Sequence, residues 1–94
     1  MYFYKLSLEA EEDITRIYQF GYYKFGLQQA DKYYNMLFEC FDKIASNPFM
    51  FPEAYAIKEN FRSCVCGVNS IYYKIGKNNK IEIITIIGKQ DFSS

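Results

Sequence analysis

Histidine and tryptophan are absent from the 94 residues, proline occurs twice, and positive and negative side chains balance at 11 each. Without histidine there is no Ser-His-Asp or Cys-His triad, no zincin motif and no imidazole general base. The three cysteines, Cys40, Cys64 and Cys66, are an odd number with no secretion signal ahead of them, which argues against a disulfide framework. Cys64 and Cys66 stand two apart in an apparent strand and share one face, whereas structural zinc wants C-x2–4-C at a turn and two further ligands. All three read as small buried apolar side chains, and neither a metal nor a cofactor is expected. No glycine-rich phosphate loop occurs. No apolar run approaches the ~18 residues of a membrane span. Met1–Leu8 has one lysine and no small-residue cleavage pattern, so the expectation is a cytoplasmic chain without a membrane partner.

What is present is apolar and aromatic: 50% of the residues are hydrophobic, with ten tyrosines and nine phenylalanines. Each ring can bury about 150–250 Å², so aromatics should dominate one core. Disorder is excluded by this content, and the length supports a single domain over residues 1–94.

Tyr2–Leu6 is short, aromatic and bounded by Ser7, the pattern of a strand. Ser7 is then a plausible N-cap, with Glu9, Glu11, Glu12 and Asp13 set against the positive end of a helix. Ala10, Ile14, Ile17, Tyr18, Gly21 and Phe25 follow at helical spacing, and Phe25-Gly26 ends that helix. Ala30, Tyr34 (or Tyr33), Leu37, Phe41 and Ile44 mark a second helix over 28–45, stopped by Asn47-Pro48. So short a join predicts an antiparallel helical hairpin. Phe49-Met50-Phe51-Pro52 is an apolar loop, expected as a lid on one end of the core. Arg62–Cys66, Ser70–Ile75 and Ile81–Ile87 carry strand periodicity, with the last run apolar on both faces as a central strand would be. The predicted class is α+β: an N-terminal strand, then a helical hairpin packed on an antiparallel sheet, in the order β-α-α-β-β-β.

Charge is divided unevenly along the chain. Residues 1–54 hold five Lys and Arg against eight Asp and Glu, a net of −3, while residues 55–94 hold six against three, a net of +3. An acidic hairpin and a basic sheet follow, but a general nucleic-acid binder would show a stronger basic excess, and no direct sequence-specific nucleic-acid binding is expected.

At this point the residues resemble a known family. Leu6-Ser7 with Ala10 and Asp13-Ile14 is similar to the L-S-x-x-A-x-x-D-L opening of the RelE/ParE toxin superfamily. Phe25-Gly26 with Gln29-Ala30 resembles its F-G-x-x-Q-A junction, and Ala45–Pro48 its A-x-x-P. Arg62-Ser63, Gly67 and Ile71–Ile75 resemble the R-S-x-x-x-G-x-x-x-I-x-Y-R-V segment, with Ile81–Ile84 and Gly88–Asp91 resembling I-E-I-V and G-R-x-D. The resemblance runs through nearly the whole chain, in order.

It implies the toxin of a type II toxin–antitoxin pair, bound by a cognate antitoxin. RelE-type members are ribosome-dependent mRNA endonucleases built on a Lys/Arg cluster and a C-terminal Tyr; ParE-type members are described as poisons of DNA gyrase. Gln90 stands where the nuclease pattern has Arg, and no Tyr follows it. A neutral amide cannot supply the charged fork that phosphate needs, so the ParE-like reading is preferred, with no catalytic residue. Under that reading Arg62, Lys89, Gln90 and Asp91 are the expected target contacts. Tyr18, Tyr22 and Tyr23 are the expected rim of an antitoxin groove between hairpin and sheet. The alternatives are the endonuclease and a non-toxic antitoxin-binding relic, the latter because Thr85 and Asn69 depart from common ParE patterns.

Overall fold

A computed structural model describes residues 2–55 and 57–88. The elements are β1 (Phe3–Leu6), α1 (Leu8–Phe25), α2 (Leu27–Ser46), β2 (Arg62–Cys66), β3 (Asn69–Ile75) and β4 (Lys80–Gly88). Their order is the predicted one, and each boundary moves by no more than a residue or so.

Ser7 caps α1 as its position predicts: its Oγ accepts a hydrogen bond from the Ala10 amide at 3.0 Å. The same hydroxyl donates to the Ile84 carbonyl at 2.7 Å, so the helix start is tied to β4. Gly26 separates the helices with φ 92° and ψ 173°, a conformation that is essentially glycine's alone. Its N–H donates to the Tyr22 carbonyl at 2.9 Å, and its carbonyl accepts from the Ala30 amide at 3.1 Å, so one residue serves both helix ends.

The four strands lie in the order β1-β4-β3-β2. The β2–β3 and β3–β4 pairs are antiparallel, as expected, but β1 runs parallel to β4, from Phe3 opposite Lys80 to Leu6 opposite Ile83. The sheet is therefore mixed. A parallel partner needs a long crossover rather than a tight turn, and the chain between β1 and β4 supplies one. Tyr72 opposes Thr85 while Tyr73 opposes Ile83, so Ile84 is the extra residue of a β-bulge. The bulge reverses the phase of β4. Ile81 and Ile83 face the helices before it and Ile86 after it, all fully buried, which explains why this strand is apolar in both alternations.

The core joins Ala10 and Ile14 of α1 and Leu37, Cys40, Phe41 and Ile44 of α2 to inward residues of the sheet. Tyr33 packs against it and Tyr34 is exposed; Phe25, expected on the core face, is instead exposed at the end of α1. The apolar loop closes the core only in part. Pro48 is buried and its carbonyl accepts from the Tyr73 hydroxyl at 2.5 Å, and Phe51 packs inward, but Phe49 and Met50 are exposed.

Candidate interaction groove

An open groove of about 640 Å³ runs between the two helices. Ile14, Thr15, Tyr18 and Gln19 line it from α1, Asp31, Tyr34 and Phe38 from α2, and Leu6 from the end of β1. The groove expected between hairpin and sheet thus lies mainly between the helices. Its α1 wall is the i, i+4 pair Ile14 and Tyr18, and its α2 wall is the i, i+4 pair Tyr34 and Phe38.

The Tyr18 hydroxyl donates to Asp31 Oδ1 across the groove at 2.7 Å. That bond to a carboxylate raises the Tyr18 pKa, so the ring stays a neutral donor. Aromatic contacts continue inward: Tyr18 meets Tyr34 edge-on at 5.8 Å, Tyr34 meets Phe38 at 4.9 Å, Phe38 meets Phe41 at 5.1 Å, and Phe41 meets Tyr4 at 5.4 Å. The groove floor is therefore stacked on the core rather than on loops. Its ionisable side chains besides tyrosine are Glu11 and Asp31, with no Lys or Arg in the lining. Such a surface offers apolar area and negative charge together, which suits a segment that is apolar and basic.

Of the three tyrosines expected at a rim, Tyr18 is in the groove. Tyr22 and Tyr23 lie toward the hairpin tip, their rings edge-on at 5.7 Å, with Tyr23 85% exposed. Phe20, Phe25 and Leu27 are exposed near them, and the Lys24 ammonium lies 5.3 Å from the Phe20 ring centre. Asp31, Tyr34 and Phe38 are groove residues that the sequence pattern does not mark as such. The trace they leave in it is the Tyr34/Phe38 spacing one face away from the Leu37/Phe41 core stripe.

Arg62 opens β2 and is engaged within its own chain. Its guanidinium donates to the Phe51 carbonyl at 2.7 Å, stands 3.5 Å from Glu53 Oε1, and covers the Phe49 ring at 5.3 Å. Glu53 also accepts from the Tyr55 hydroxyl. Lys89, Gln90 and Asp91 lie outside the described residues. On the sheet, Glu82 is 3.7 Å from Lys74 and pairs in register with Lys5. Among the described residues no cluster of Cys, Asp or Glu has the makings of a metal site, and no helix is long and apolar enough to cross a membrane.

Residues 4–91 match the family model of the ParE toxin of the type II toxin–antitoxin system parDE. Toxin ParE1 of Caulobacter vibrioides is 27% identical over 84 residues, covering 89% of this chain and 85% of that protein. Toxin ParE1 of Mycobacterium tuberculosis is 24% identical over 84 residues, covering 89% and 86%. A solved chain of the chromosomal ParDE TA system from P. aeruginosa superposes with a TM-score of 0.81 at 18% identity, covering 94% of this chain and 96% of that one. With the strand–hairpin–sheet order in place and a family match over residues 4–91, the chain belongs to the ParE toxins of type II toxin–antitoxin systems.

Proposed function

We propose that this chain is a cytoplasmic toxin that inhibits DNA gyrase by binding it, and that a cognate antitoxin silences it by laying an apolar, basic segment into the interhelical groove. The observation that carries the binding reading is the state of Arg62. A nuclease needs cations aimed at phosphate, whereas this guanidinium is committed to Phe51, Glu53 and Phe49. Arg62, held in place by Phe51, Glu53 and Phe49, contributes to the target surface together with Lys89, Gln90 and Asp91. The antitoxin reading rests on the acidic, aromatic groove, with Tyr22 and Tyr23 extending it toward the hairpin tip.

Induction without antitoxin in a gyrase-proficient bacterium should give arrest, filamentation and a DNA-damage response, and purified chain should inhibit supercoiling. Codon-specific mRNA cleavage would instead establish the endonuclease, and normal growth with soluble protein accumulating would establish the relic. For the groove, Tyr34→Ala should weaken antitoxin binding about tenfold or more, as loss of an aromatic anchor does. Asp31→Lys should weaken it most at low salt, where charge complementarity counts most. Unchanged affinity in both variants would place the antitoxin elsewhere.

A further inference from the structure

Cys40 on α2 and Cys66 at the end of β2 face each other across the helix–sheet interface, their Sγ atoms 2.7 Å apart, against about 2.05 Å for a bonded pair. Cys64 is a third buried thiol on the same face of β2. Cys40 is the most exposed of the three at 7%, against 3% for Cys64 and 2% for Cys66. Burial pushes the Cys64 thiol up to about 11 and moves Cys66 the same way. Cys40, the least buried of the three, is therefore the first an oxidant reaches, with Cys66 already in place beside it.

We infer that Cys40 and Cys66 form an intramolecular disulfide when the folded chain meets a peroxide, and that this modification fastens α2 to β2. Cys40 sulfur attacks the O–O bond, giving a sulfenic acid and releasing water. Cys66 sulfur then displaces the sulfenic oxygen, which leaves as a second water, and the S–S bond forms. Two thiols are oxidised by two electrons and one peroxide is reduced to two waters, so no further reactant is needed. Small thiols restore the starting state by exchange.

The bond would close a ring across 26 positions of sequence, enclosing the irregular segment between α2 and β2. That segment is held in the folded chain by a few hydrogen bonds, among them Ser63 N–H to the Pro52 carbonyl at 3.0 Å and Ala54 N–H to the Phe61 carbonyl at 2.7 Å. A cross-link of this reach restricts the unfolded chain far more than the folded one.

The test treats the purified full chain with hydrogen peroxide in native buffer, blocks remaining thiols, and reads intact mass, a non-reducing peptide map and the urea midpoint. The expected result is a mass lower by two hydrogens, a peptide linking Cys40 to Cys66, a blocked Cys64, and a raised midpoint that dithiothreitol reverses. Cys64→Ala should behave identically. Oxygen adducts without a link, a Cys40–Cys64 link, a cross-linked dimer, or a link formed only in urea would each overturn the proposal. The wild-type mass and map decide it, so no variant has to fold.

Discussion

The Asp13 carboxylate carries more of the structure than its place in the acidic start of α1 suggests. Oδ2 accepts from the Thr85 hydroxyl at 2.7 Å and from the Ile86 amide at 2.9 Å, while Oδ1 lies 3.2 Å from Arg16. β1 pairs with β4 only as far as Ile83. Beyond that point β4's outer edge is served by side chains from the start of α1, Ser7 at Ile84 and Asp13 at Ile86. Asp13→Ala leaves the Ile86 N–H without that acceptor, and the expected loss is about 1–3 kcal/mol of unfolding free energy in urea titrations. Asp13→Asn keeps an acceptor oxygen in the same shape and should lose less; equal losses would mean that charge, not the hydrogen bond, is what counts. The sequence shows Asp13 as one acid of four near a helix start, and nothing in its spacing reveals a partner 73 positions away.

At the scale of elements, local signals were enough where local physics decides. Ser7 capping, the Gly26 break and the Asn47-Pro48 stop are each chemistry of a few neighbouring residues, and each lies where the pattern put it. Which strand neighbours which is not local: a four-residue aromatic run announces a strand but not the parallel partner it finds in β4. The same limit hid the groove, because its walls come from two helices whose relative rotation is set by packing. Gly21 shows that packing, since a Cβ built there would stand 3.7 Å from the Ala30 Cα, ordinary contact distance. Gly26 offers the cleaner test, for a Cβ there meets nothing within 4 Å and any penalty is one of backbone conformation alone. Gly26→Ala should cost about 1–3 kcal/mol, seen as a lower urea midpoint with unchanged helix content in the folded baseline. A neutral result would mean that the junction relaxes to an ordinary turn.

For the whole molecule, the buried thiols and the Tyr73 phenol set an alkaline limit. Burial moves Cys64 from 9.0 to about 11 and Tyr73 from 10.0 to about 12. Well below pH 9 both groups are protonated in folded and unfolded chain alike and contribute no pH dependence. As pH rises through that window the unfolded chain gives up protons first, so unfolding releases them and stability falls. The urea midpoint should be level to about pH 8 and decline toward pH 12; a level midpoint throughout would show that these groups ionise without unfolding. The topology has one more consequence, for how the chain comes into being. β4 lies between β1 and β3, yet in chain order it follows every other element described. During synthesis the first strand therefore emerges with no neighbour to pair with, and the helical hairpin emerges with no complete sheet beneath it. The fold closes only when its central strand has left the ribosome, so until then the apolar underside of the hairpin has no complete sheet to cover it.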